Sequence, residues 1–256
     1  MVRIMVCGKG GSGKSAISVL IARTLSANYN VYLVDSDESN TLLSSMLGVE
    51  QPRPLIEYLG GRSEVFKKGE VNIVRALSKA GKGIVLNELP QEYVTTSSEG
   101  VKLLIIGKIR NFGEGCACPL NYLTRTLLKN LILREDEIVI VDTDAGIEHV
   151  GRGVEEGADM IIIVADPTAE SLVLAKILKK SLEKRNKRFW LILNKSLPDL
   201  TEFMQRRAED LGLKIDCFIK FDDEIFRSCL KGGKLMAESA LEDIKKLLMK
   251  MNFKVN

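Results

Sequence analysis

The residues with the most distinct chemistry lie near the start of the chain, in Gly8-Lys9-Gly10-Gly11-Ser12-Gly13-Lys14-Ser15. Their spacing fits G-x-x-x-x-G-K-[ST], with Gly8 first, Gly13-Lys14 next and Ser15 last. Each residue type serves phosphate binding. Glycines let the backbone wrap closely around phosphates and turn N–H groups inward. A helix that opens at Ala16 adds the positive end of its dipole. Lys14 reaches the β- and γ-phosphates, and the Ser15 hydroxyl binds Mg²⁺. Further along, Ile138-Val139-Ile140-Val141 runs into Asp142. Four apolar residues and then an aspartate is the pattern of a carboxylate that holds Mg²⁺ through water. Together these residues predict a site for a nucleoside triphosphate with its magnesium.

Two other groups carry chemistry. Asp35-Ser36-Asp37 follows the apolar run Val31-Tyr32-Leu33-Val34, placing carboxylates at a strand end. The same residues also read as an N-cap cluster before a helix over Thr41–Leu47. Cys116-Ala117-Cys118 sets two thiols one residue apart. They can face one metal ion but supply only two of the four ligands that Zn²⁺ commonly takes, and Ni²⁺ prefers planar sets. The pair also reads as structural thiols at a helix start, where the dipole lowers their pKa. His149 is the only histidine. It reads as a packing or hydrogen-bonding residue beside the turn after Asp142, with a ligand role as the alternative.

The elements that position these groups alternate regularly. Strands are expected over Arg3–Cys7, Val31–Val34, Val101–Gly107, Ile138–Val141, Met160–Ala165, Phe189–Leu193 and Lys214–Phe218. Helices are expected over about Lys14–Ala27, from the Cys-x-Cys to about Leu131, and over Ala169–Lys184, Asp223–Leu230 and Ala237–Met251. Continuous apolar strands interleaved with helices predict an α/β fold, a doubly wound, mostly parallel sheet with helices on both faces. The phosphate loop, Asp37, Asp142 and Asn194 then all fall at C-terminal strand ends, where such folds bind ligands. Residues 48–100 are broken by Pro52, Pro54, Gly60-Gly61, Gly81 and Gly83. Short helices fit around Leu55–Leu59 and Glu70–Lys79. The stretch reads as an irregular insertion over the nucleotide-facing side of one domain spanning 1–256.

Bulk properties narrow the class. At 256 residues, 45% hydrophobic and 28% charged, the chain can bury a sizeable single core. A net charge of +3 points away from nucleic acid or an anionic membrane as the main partner. No apolar run reaches the length of a membrane span, and the chain enters a strand directly. The expectation is a cytoplasmic protein without stable membrane association. Its five cysteines are then expected as thiols. Cys7, Cys217 and Cys229 read as small core residues.

The loop resembles the deviant Walker A motif, K-G-G-x-G-K-[ST], of the ATPase family that includes MinD, ParA, ArsA, the nitrogenase iron protein and metal-site maturation factors. The resemblance implies an ATPase that binds ATP or ADP with Mg²⁺ through Gly8, Lys9, Gly10, Gly11, Ser12, Gly13, Lys14, Ser15 and Ala16. It implies a homodimer in which Lys9 crosses to the partner's nucleotide. Asp35-Ser36-Asp37 is similar to switch I, making Asp37 the residue that positions the attacking water, although the proline often found next is absent. Asp142-Thr143-Asp144-Ala145-Gly146 is similar to switch II, with Gly146 able to turn its N–H towards the γ-phosphate. Asn194 falls where the family hydrogen-bonds adenine. Lys220 stands where relatives carry a proline beside the base.

Within that family, Gly113-Glu114-Gly115-Cys116-Ala117-Cys118-Pro119 and Ala145-Gly146-Ile147-Glu148-His149-Val150-Gly151-Arg152-Gly153 are similar to the CooC-type nickel-maturation ATPases of carbon monoxide dehydrogenase. This implies an ATP-dependent metallochaperone. Two copies of Cys116 and Cys118 would meet near the dimer axis and supply four thiolates to Ni²⁺ or Zn²⁺. The partner would be carbon monoxide dehydrogenase or a related metalloenzyme. Two alternatives stand beside it. One is a MinD/ParA-type spatial regulator, for which the somewhat basic, amphipathic end Lys245–Lys254 is a candidate anchor. The other is an iron–sulfur carrier or reductase, although Ile147-Glu148-His149 lacks the second cluster cysteine of the nitrogenase iron protein.

Overall fold

The computed structural model describes residues 1–108 and 118–255, and the side chain of Glu148 is not among the atoms it describes. Cys116 and the Gly-Glu-Gly before it lie outside the described residues. In chain order the elements are β1 (Val2–Gly8), α1 (Lys14–Ser26), β2 (Asn30–Asp35), α2 (Leu43–Leu47), α3 (Leu55–Tyr58), α4 (Arg62–Leu77), β3 (Val94–Thr96), β4 (Lys102–Ile105) and α5 (Cys118–Asn130). There follow β5 (Glu137–Asp142), α6 (Glu148–Gly151), β6 (Met160–Ala165), α7 (Ala169–Glu183), β7 (Arg188–Ser196), α8 (Thr201–Asp210), β8 (Cys217–Lys220), α9 (Asp223–Lys231) and α10 (Ser239–Lys250).

The described strands form one sheet in the order β3-β4-β2-β5-β1-β6-β7-β8. Every pairing is parallel except the short β3, which runs antiparallel to β4 at the edge. This is the expected doubly wound, mostly parallel architecture. Side chains alternate along each strand, so both faces need cover. Ile4 and Val6 of β1 pack with Ile17, Leu20 and Ile21 of α1 and with Ile244 and Leu247 of α10. Met5 and Cys7 belong to the opposite layer, with Leu123 and Leu127 of α5 and Leu172 and Leu178 of α7.

The winding creates the crevice. From β1 the chain crosses to β2, leaving room for β5 between them, and later passes over β1 to reach β6. Neighbouring loops at β1, β2 and β5 therefore splay in different directions at their C-terminal ends, which opens a cleft there.

Some elements differ from expectation. In the 48–100 stretch, α4 begins at Arg62, not near Glu70, and is kinked at Gly69, whose φ is 68°. Leu55, Ile56, Val65, Ile73 and Leu77 from this stretch join the same apolar layer as α5. α8 was not anticipated, because only Met204 and Ala208 of its ten residues are buried and no apolar stripe marks it. The last strand begins at Cys217, three residues later than expected. Asp216 bonds Leu191 through its backbone N–H and its carboxylate, and the ladder is irregular between Leu193 and Ser196.

Candidate functional site

The phosphate-loop sequence forms the turn between β1 and α1. Gly8 has a φ of 144°, and a Cβ there would lie 2.1 Å from the Val164 carbonyl oxygen, so β1 and β6 can approach only over a glycine. Gly146, with a φ of 94°, donates its N–H to Gly8 O at 3.1 Å, fixing the start of the segment after Asp142 against the loop. Three loop carbonyls accept side-chain donors. Lys14 Nζ donates to Lys9 O at 3.2 Å, Lys195 Nζ to Gly11 O at 2.7 Å, and Asn194 Nδ2 to Ser12 O at 2.8 Å. Gly13, at the N-cap of α1, offers no side chain, and the first turn carries no acidic residue. The N–H groups of that first turn have no partner within the helix and therefore suit an anion.

A cation corner lies beside the loop. Asp142 ends β5 fully buried, and Ser18 donates its hydroxyl to Asp142 Oδ1 at 3.1 Å. Asn40 Oδ1 accepts the Leu42 N–H at 3.0 Å, which turns Asn40 Nδ2 to the other side. There the amide lies 2.9 Å from Ser15 Oγ and 3.5 Å from Asp142 Oδ2. Burial pushes the Asp142 carboxyl up to about 6, opposed by hydrogen bonding from Ser15, the charge of Lys14 and the Ser18 bond. A hydroxyl and a buried carboxylate, close enough to share one amide, are hard oxygen donors that fit Mg²⁺.

Asp37 is half-buried on the same cleft. Its Oδ1 accepts the Ser39 N–H at 2.8 Å, the Ser39 hydroxyl at 2.6 Å and the Asn40 N–H at 3.2 Å. That Asx turn holds the carboxylate in place without a proline. The cleft measures about 420 Å³ and continues from the loop to Asn194, Lys195, Phe221, Phe226 and Cys229. The rings of Phe221 and Phe226 stand 5.9 Å apart and give that end an aromatic wall. Cys229 is exposed there, contrary to the expectation of a core residue, because α9 turns it towards the cleft; Cys7 and Cys217 are buried as expected.

The remaining described candidates lie outside the cleft. Lys9 points away from its own loop, and its Nζ pairs with Glu170 of α7 at 3.2 Å. Cys118 is half-buried at the first position of α5. Among the described residues no three His, Cys, Asp or Glu side chains cluster as a metal site. His149 is fully buried, and its Nδ1 is 3.1 Å from Asp144 Oδ1, so it holds the segment after Asp142 by a hydrogen bond. Ser18, Asn40 and Lys195 were not singled out from sequence. Their only signal was proximity to a motif.

Comparison with known proteins agrees with this geometry. Residues 4–235 match the family described as the CobQ/CobB/MinD/ParA nucleotide binding domain. An uncharacterised ATP-binding protein of Methanocaldococcus jannaschii is 42% identical over 252 residues, covering 97% of this chain and 100% of its own length. The carbon monoxide dehydrogenase accessory protein CooC of Rhodospirillum rubrum is 35% identical over 184 residues, covering 68% of this chain and 66% of its own. Among solved structures, the septum site-determining protein MinD of Pyrococcus horikoshii, complexed with Mg-ADP, superposes with a TM-score of 0.69 at 16% identity, covering 98% and 96% of the two chains. A ParA family ATPase of Chlorobium tepidum gives 0.67 at 23% identity, with 95% of both covered. A glycine loop held at the switch point of a doubly wound sheet and a match over nearly the whole chain lead to one assignment: the chain belongs to the CobQ/CobB/MinD/ParA nucleotide-binding family.

Proposed function

We propose that the protein is a dimeric ATPase that works as a metallochaperone, delivering nickel to carbon monoxide dehydrogenase or a related metalloenzyme. ATP lies along the cleft, with its phosphates in the loop and its base towards Asn194 and the Phe221–Phe226 wall. Lys14 leaves Lys9 O to meet the β- and γ-phosphates. Ser15 and Asp142 hold Mg²⁺, which neutralises charge on the phosphates. Asp37 orients the attacking water. Lys9 exchanges Glu170 for the phosphates of the partner subunit, so ATP favours the paired state. Pairing brings two copies of Cys116 and Cys118 together around Ni²⁺ or Zn²⁺, which is cargo.

The observation that carries the metal reading is the Gly-Glu-Gly-Cys-Ala-Cys-Pro stretch running into α5, in a chain similar to CooC over 184 residues. The spatial-regulator reading is weakened by α10. Its apolar residues Ala240, Ile244, Leu247 and Leu248 are buried in the layer with α1, so they are not available as an amphipathic anchor. The test is a titration of Ni²⁺ and Zn²⁺ into wild type and Cys116→Ser/Cys118→Ser, with and without ATP. One metal per dimer, lost in the double variant while ATP binding persists, is the expected result. Equal metal affinity in both proteins would overturn the reading.

A further inference from the structure

Two buried contacts join the Asp37 segment to the flanks of the stretch that carries Cys116. Upstream, Lys108 is the last described residue before it. Its Nζ donates to Asp35 Oδ2 at 2.6 Å and to the backbone carbonyl of Asp37 at 2.6 Å. The Lys108 side chain is 6% exposed and that of Asp35 is 1% exposed. Arg62 of α4 donates to Lys108 O at 3.0 Å, so the backbone at this point is also tied down. Downstream, Thr124 lies on the second turn of α5, the helix that begins at Cys118. Its hydroxyl is 2.7 Å from that of Ser36 and 2.9 Å from Leu120 O, and both side chains are buried. Leu120 O can only accept, so Thr124 gives its proton there and the Ser36 hydroxyl must donate to Thr124. Asp35, Ser36 and Asp37 are consecutive, and each is gripped from one flank or the other.

We propose that Lys108, backed by the Ser36–Thr124 hydroxyl pair, is a positioning residue that ties any movement of Asp37 to both flanks of residues 109–117. The proposal rests on the reading that Asp37 responds to the γ-phosphate. A lysine is suited to the task. A buried ammonium with a carboxylate on one side and a carbonyl on the other cannot release either without leaving a desolvated group unpaired. A shift of the Asp37 backbone on ATP binding therefore pulls on Lys108, and through Ser36 on α5. The described contacts on the other side of the cleft, from Asn194 and Lys195, reach only the phosphate loop.

The experiment compares wild type, Lys108→Met, Lys108→Arg and the double variant Asp35→Asn/Lys108→Met. Amide hydrogen exchange is followed over residues 35–42 and 109–126, with and without the non-hydrolysed analogue AMPPNP, together with kcat and KM for ATP. In wild type, the analogue changes exchange in both segments. In Lys108→Met it still changes residues 35–42, but the response over residues 109–126 shrinks to the part that the Ser36–Thr124 pair carries into α5, and kcat falls about ten- to a hundredfold with little change in KM. Lys108→Arg, which keeps the charge, restores part of both effects. The double variant keeps the fold intact if the unpaired Asp35 charge destabilises Lys108→Met, and its response over residues 109–126 is reduced in the same way. Exchange over 109–126 that ignores the analogue in wild type, or follows it equally in the double variant, overturns the proposal. Failure of wild type to bind Ni²⁺ or Zn²⁺ would instead overturn the metallochaperone reading, because exchange needs no metal.

Discussion

Ser18→Ala isolates the electrostatics of the cation corner. The substitution removes the hydroxyl that donates to Asp142 Oδ1 at 3.1 Å and leaves a small side chain that α1 accommodates. The Asp142 carboxyl already stands at about 6, against an ordinary value of 3.8. With the folded value raised, its contribution to stability is fully present below the ordinary value and is lost as pH rises through about 6. The two-unit rise corresponds to about 3 kcal/mol by which the buried site disfavours ionised Asp142. A hydrogen bond to a charged group contributes about 1.5–3 kcal/mol, so its loss raises the carboxyl further. Since Mg²⁺ needs the ionised form, Mg²⁺-dependent ATP binding in wild type should weaken as pH falls below about 6. In Ser18→Ala the weakening should set in at a higher pH than in wild type. Titration of a fluorescent ATP analogue with and without EDTA, between about pH 5.5 and 8.5, reads this directly. Superimposed Mg²⁺-dependent profiles for the two proteins would refute the reasoning.

Lys9→Ala should abolish ATP-dependent dimers in light scattering but change unfolding free energy by less than about 1 kcal/mol, because the Glu170 side chain that pairs with Lys9 is 79% exposed. Gly8→Ala should cost more than about 3 kcal/mol in denaturant titration, since its Cβ would lie 2.1 Å from Val164 O with the chain at a φ of 144°. An alkylating reagent should modify exposed Cys229, and ATP should slow that reaction by filling the cleft. Cys7, fully buried and pushed up to about 12 by burial, should stay unmodified in the native protein, which peptide mass mapping would show.

The parts of this protein that were legible in sequence are those governed by local rules. The apolar runs Met160–Ala165 and Ile138–Val141 have one plausible fate, and they became strands within a residue of their expected ends. The phosphate loop and Asp142 were visible because the chemistry demands residue types at fixed spacing. Legibility failed where tertiary context decides. α8 buries two side chains and so carries no periodic signal, and β3 is three residues added at a sheet edge. Cys229 could be placed inside or outside only by knowing which side of α9 faces the cleft. Lys108 looked like any lysine after a strand. Its burial against Asp35 depends on β2 and β4 being neighbours, a pairing that no local pattern encodes.

The grip of β7 on the phosphate loop has a consequence for the thermodynamics of nucleotide capture. Asn194 and Lys195 hold the Ser12 and Gly11 carbonyls by hydrogen bonds made within the protein itself, and a trans peptide points its N–H opposite its C=O. The loop's shape is thus held by the protein's own bonds, and little backbone entropy remains to be lost on binding. Calorimetry should find the tripolyphosphate end captured with a small entropic penalty. Any ordering that ATP causes should register instead in the aspartate segment after β2.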